Sequence, residues 1–93
     1  MRVISQDGAI DVPYENFVFG IIEDNSIVAI RDTIARPSEI AQGVVATYST
    51  AEKAKKAMEM LREQYKKYVG ASVNIYGCFQ FPNNDEIEVQ NEA

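Results

Sequence analysis

The side chains best suited to chemistry in this sequence are carboxylates gathered at its two ends: Asp7, Asp11 and Glu15 near the start, and Asp85, Glu86 and Glu88 near the finish. Such acids could hold a divalent cation, yet their spacing matches no calcium loop, which sets its ligands at alternate positions of a single turn. Acids of turns and tails are most simply solvated. There is no histidine, which removes Ser-His and Cys-His catalysis together with the commonest metal ligand. Cys78 is the single cysteine. Alone it cannot build a zinc site, and without a histidine to lower its pKa it reads as an inert small side chain. The five glycines stand singly and form no phosphate-cradling loop. With these constellations excluded, the chain is expected not to be an enzyme and to carry no cofactor or metal.

Recognition chemistry is better represented. Lys53, Lys55, Lys56, Arg62, Lys66 and Lys67 crowd one stretch, but Glu52 with Lys56 and Glu63 with Lys67 stand four apart in the favourable order. That stretch therefore reads as a solvated, largely balanced helix face. Arg31 and Arg36 flank an irregular connection, and an arginine fork suits phosphate geometry. Tyr76 lies on the polar side of the last strand and Asn83 where that strand ends. An aromatic face and an amide there could hold a base, although packing and turn formation are the simpler roles. Arg31, Arg36, Tyr76 and Asn83 are the candidate ligand-binding residues.

Charge is unevenly spread over the 93 residues, whose net charge is −5. Residues 1–48 carry three basic and seven acidic side chains, residues 49–69 six and three, and residues 83–93 none and four. An acidic surface of this kind disfavours duplex nucleic acid, which requires a basic footprint. No run is apolar enough to cross a bilayer, and the start is a strand pattern rather than a signal peptide. With a lone cysteine, these features lead to the expectation of a cytoplasmic protein with no membrane partner.

The elements that must position these residues follow from periodicity. Val3 and Ile4 precede Asp7-Gly8, with Ile10 and Val12 after it, which predicts a hairpin with a two-residue turn. Asp11 is then a solvent-facing strand residue, and Pro13 ends the strand. FVFGII at 17–22 and IVAIR at 27–31 pair across the turn-forming EDNS at 23–26. The span 32–43 is irregular, with a possible helical turn at SEIAQ, and GVVATYS at 43–49 is a further strand. Ser49 to Glu52 forms a capping box, and Ala51, Ala54, Met58, Leu61, Tyr65 and Tyr68 make one helical stripe ending at Gly70. SVNIYGCFQF at 72–81 alternates as a strand with Phe79 and Phe81 inward. Residues 82–93 form an acidic tail in which Ile87 and Val89 could add an edge strand. The expected fold is a single α+β domain over 1–93: an antiparallel β-sheet of about five to six strands with one long amphipathic helix packed across one face. FVFGII is apolar on both faces and one helix covers only one, so a homodimer or higher homo-oligomer is predicted through Val18 and Ile22.

Three blocks carry a family resemblance: MRVISQDGAIDVPYENFVF, ATYSTAEKAKKAMEMLREQY and FQFPNNDEIEV, together about half of the chain. They resemble blocks of small proteins encoded by phages and prophages of Gram-positive bacteria, and within that group are similar to the first-described family of anti-Thoeris proteins. The resemblance implies an oligomeric, non-catalytic protein that sequesters a cyclic nucleotide immune signal, of the cyclic ADP-ribose isomer class, in a pocket at a protomer interface. Members carry an additional segment between the helix and the FQFP strand, where this chain has only YVGASVNIYGC. Two other functions fit the composition: an acidic inhibitor that mimics nucleic acid against a host enzyme, and a phage accessory protein without a small ligand.

Overall fold

The computed structural model describes residues 1–31, 42–71 and 76–88. Its elements are β1 (Arg2–Ile4), β2 (Asp11–Pro13), β3 (Phe17–Ile22), β4 (Ser26–Arg31), β5 (Gln42–Thr47), α1 (Ala51–Gly70) and β6 (Cys78–Gln80), with 3-10 turns at Tyr14–Asn16, Glu23–Asn25 and Asn84–Glu86. The α+β class holds, but the six strands form two three-stranded sheets, β2-β1-β6 and β3-β4-β5, in place of the single sheet expected. Pro13 and the 3-10 turn after it separate β2 from β3, so β3 starts a second sheet. The arrangement is also not wholly antiparallel. β6 returns after the long α1 crossover to lie parallel to β1, with Val3 opposite Phe79.

The first turn is wider than the two-residue form expected of it. Val3 pairs with Val12 as the alternation requires, but Ser5 N–H donates to the Ile10 carbonyl at 2.8 Å, so four residues make the connection. Gly8 alone has positive φ there. The Asp7 carboxylate accepts from the Ser5 hydroxyl at 2.6 Å and the Ala9 N–H at 2.9 Å, which stabilises this wider turn and holds its pKa below the usual value. Two consecutive positive φ angles occur instead at Asp24 and Asn25, in the β3–β4 hairpin.

Helix α1 begins one residue later than expected. Thr50 is its cap and accepts from Lys53 N–H at 3.2 Å, while Ser49 N–H donates to Asn84. Gly70 is the last helical residue and not a left-handed stop; Ala71, extended, follows it. Of the predicted stripe, Ala54 and Leu61 are buried, Met58, Tyr65 and Tyr68 half-buried and Ala51 exposed; Ala57, one turn from Ala54, is buried as well. These side chains meet Val3, Ile27, Ala29, Val45, Phe79, Phe81 and Ile87 in one core shared by both sheets. Complete burial of a side chain such as Leu61 contributes about 1.5–3 kcal/mol.

Among the described residues of the 72–81 segment, Cys78–Gln80 are strand. Residues 72–75 fall outside the described set, as does the irregular 32–41 span with its possible helical turn. The tail adds no strand over its described part: a 3-10 turn leads into Ile87, which is buried in the core. Gln6 ties the two sheets together, its N–H donating to the Val45 carbonyl and its amide bonding Thr47 and Pro82. No described helix is long and apolar enough to cross a membrane.

Candidate functional site

The site is a cleft between β3 and α1. Alternation along β3 turns Phe17 and Phe19 towards the helix, and Tyr14, from the 3-10 turn just before it, lies beside them. Helical spacing brings Met58, Leu61 and Arg62 to the opposite wall. These residues and Val18 enclose a cleft of about 320 Å³. A second cleft, also about 320 Å³, continues along β3 between Ile21, Lys55, Met58, Glu59 and Arg62. Met58 and Arg62 line both, which makes them one groove following the edge of β3. Each has the volume of a small-ligand pocket, ~300–1,000 Å³.

Aromatic rings form the floor. Tyr14 stacks between Tyr65 at 4.1 Å and Phe19 at 5.8 Å, and Phe19 meets Phe81 at 6.5 Å. Tyr14 is therefore engaged by two neighbouring rings. Phe17 lines the cleft and, among the described residues, pairs with no other ring, leaving it available to a planar ligand. Arg31 is its register partner on β4, on the same side of the sheet. Arg62 stands across the cleft, and among the described residues neither it nor Lys55 lies within ion-pair distance of a carboxylate. The helical ion pairs differ from the sequence expectation: Lys56 pairs with Glu59 at 3.9 Å and Lys66 with Glu63 at 3.4 Å, each three apart rather than four.

The four candidate residues from the sequence do not share one site. Arg31 is on β4 as the register partner of the cleft residue Phe17, and Arg36 lies outside the described residues. Tyr76 is beside the second half of α1, where its carbonyl accepts from Gln64 and the Lys67 ammonium lies 5.9 Å from its ring centroid. Asn83 closes a capping box with Glu86, whose carboxylate accepts from Asn83 N–H at 2.9 Å. The neighbouring Asn84 carbonyl accepts from Lys53, near the start of α1. Lys53 and Lys67 are about 20 Å apart along a helix rising 1.5 Å per residue, so Tyr76 and Asn83 attend different ends of it. Tyr14, Phe17, Met58 and Arg62 were not singled out by the sequence reading. The available signal was that no acid stands four residues from Arg62, with Met58 before it and Lys66 after.

Four of the six acids, Asp7, Asp11, Glu15 and Glu86, are engaged in local structure. Beyond Asp7, Asp11 accepts from Arg2 at 2.8 Å, and Glu15 accepts from the Met1 ammonium at 2.9 Å, which lowers its pKa. Among the described residues no three metal-ligating side chains converge. The groove thus offers a ring surface, the Arg62 guanidinium and the Lys55 ammonium, an arrangement suited to binding an anion with a planar group. No protein-family model, curated protein or solved structure matches the chain.

Proposed function

We propose that this protein is a non-catalytic binding protein that sequesters a small, phosphate-bearing cyclic nucleotide, of the cyclic ADP-ribose isomer class, in the β3–α1 cleft. The observation that carries the proposal is the unstacked Phe17 ring in a cleft that Arg62 lines, with Arg31 the register partner of Phe17 on β4. A base or ribose lies against Phe17 while the two guanidinium groups donate to phosphate oxygens. These close contacts must outweigh the long-range repulsion from a chain of net charge −5. The three blocks resemble small phage and prophage proteins, and the similarity within that group to anti-Thoeris proteins implies the same ligand class and a setting for the activity, a phage protein that deprives a bacterial defence of its signal.

Calorimetric titration with cyclic ADP-ribose isomers, followed by denaturation and chromatography of the ligand, tests the proposal. Saturable binding with intact ligand recovered is the expected result, and Arg62→Ala should weaken it by about 1.5–3 kcal/mol, as for hydrogen bonds to charged groups. No binding by the native chain overturns the proposal. Co-elution with a host nucleic-acid enzyme that is released by salt would then favour the acidic-inhibitor function. Recovery of a cleaved ligand would overturn the non-enzymatic assignment.

A further inference from the structure

We infer that Glu59 selects the sugar of the bound nucleotide, its carboxylate accepting from ribose hydroxyls in the second cleft and excluding a phosphate from that position; this rests on the cyclic nucleotide reading of the groove. Among the described residues lining the two clefts, Glu59 is the one carboxylate. The Tyr14 hydroxyl apart, the other polar side chains there are the cationic donors Lys55 and Arg62. Ligand phosphates therefore have two charged partners in the groove, and ligand hydroxyls have one charged acceptor.

Lys55, Glu59 and Arg62 follow one another at four- and three-residue steps, which puts them on one flank of α1. The carboxylate thus stands between two cations about 10 Å apart along the helix axis. Among the described residues its ion-pair partner is neither of them but Lys56, at 3.9 Å, and both members of that pair are about half-exposed. So long and solvated a pair holds the carboxylate weakly. With about four lone-pair sites on its two oxygens, Glu59 keeps most of its accepting capacity for a ligand. Glu23 and Asp24, in the turn after β3, line neither cleft.

The order of groups along the groove matches the layout of a nucleotide. Phe17 lines the first cleft, Arg62 and Met58 line both, and Ile21, Lys55 and Glu59 line the second. A base against Phe17 carries its ribose into the second cleft, where the carbon face of the sugar meets Ile21 and Met58 and its hydroxyl edge meets Glu59. The phosphate on the far side of that sugar then lies between Arg62 and Lys55. An acid that accepts from ribose hydroxyls is the device by which dinucleotide-binding folds take an unphosphorylated ribose, and a phosphate at the same hydroxyl calls for an arginine instead. Here a second phosphate would set like charges together beside apolar walls, where repulsion is stronger than in open water.

Calorimetry of the full chain with cyclic ADP-ribose and with its 2′-phosphate, which differs by one phosphate on the ribose joined to the base, tests this. The native chain should bind the phosphorylated form about tenfold more weakly. Glu59→Gln should weaken cyclic ADP-ribose and tighten its 2′-phosphate, each by about threefold to tenfold, and so abolish or reverse the preference. Glu63→Gln removes an equal charge from a helix position that lines neither cleft of the groove; it should shift both affinities alike and leave their ratio unchanged. Circular dichroism establishes that each variant is folded. Equal native affinity for the two forms overturns the inference and spares the binding function. A rise in both affinities in Glu59→Gln also overturns it, since the acid then acts through charge alone. Failure of every cyclic ADP-ribose isomer to bind overturns the binding function and the inference together.

Discussion

Tyr14 and Tyr65 lie nearly face to face, with ring centroids 4.1 Å apart and planes inclined by 25°. The pair joins the turn between the two sheets to the third quarter of α1, and Phe19 continues the stack into the second sheet. Tyr14→Ala should therefore lower the unfolding free energy by about 2–3 kcal/mol, combining lost burial with a lost aromatic pair. Tyr14→Phe, which keeps the ring, should cost under about 0.5 kcal/mol. Urea denaturation of both variants measures the difference.

Adjacent residues of α1 should separate stability from binding. Leu61 is 1 % exposed, and Leu61→Ala should cost about 2–5 kcal/mol. Arg62, exposed beside it, should lose ligand affinity on replacement by alanine while the melting temperature stays within about 1–2 °C. Thermal melts and calorimetry on the same preparations check both outcomes.

Asn83 should behave as a cap. Asn83→Ala removes the side-chain half of its box with Glu86 and should destabilise the protein by about 0.5–2 kcal/mol, with cyclic nucleotide affinity unchanged. An affinity loss at unchanged stability would return Asn83 to the ligand site.

Stability should fall at alkaline pH because the buried Tyr48 hydroxyl resists ionisation in the folded chain. Burial pushes the Tyr48 hydroxyl up to about 12, with the Glu86 carboxylate adding to the shift and a Gln6 hydrogen bond opposing it. Its folded pKa exceeds the ordinary value of 10.0, so this contribution is complete below pH 10 and lost as pH rises towards 12. Tyr48→Phe should flatten that limb of the melting-temperature profile, at the loss of the 2.8 Å bond to the Pro82 carbonyl.

The acid limb has a different origin. The Met1 ammonium holds the Glu15 carboxyl below its usual 4.5. A lowered folded pKa stabilises above the unfolded value, and the contribution disappears as pH falls through the folded one. Glu15→Gln should reduce the melting temperature at neutral pH and show a shallower decline between about pH 5 and 2 than the native chain.

Local elements were legible in the sequence because local rules decide them. Apolar runs bounded by the EDNS turn define β3 and β4, and three- and four-residue spacing defines α1. Pro13 marked the break between the two sheets, but the strand that joins β1 was not legible, because β6 reaches it from far along the chain rather than from a neighbouring residue. Asp7-Gly8 has the composition of a two-residue turn, yet the Asp7 side chain bonds Ser5 and Ala9 and widens it. At the candidate site, periodicity puts Arg62 on the charged side of the helix but does not say that β3 runs past it. Arg31 was accessible because it ends a strand, and only the register with Phe17 gives it an aromatic neighbour.

The parallel pairing of β1 with β6 also constrains how the chain acquires its shape. Arg2 must find Cys78, and Gln6 must find Pro82, 76 positions further on. Such closures are entropically late, and folding slows as the separation between partners grows. A ribosome releases the N-terminal strand first and its partner near the end. Until then β1 has only the short β2 beside it, while FVFGII can already pair with β4. The nascent chain thus has an interval in which its most adhesive strand is made but its core is open, and rapid translation through residues 32–80 would shorten that interval.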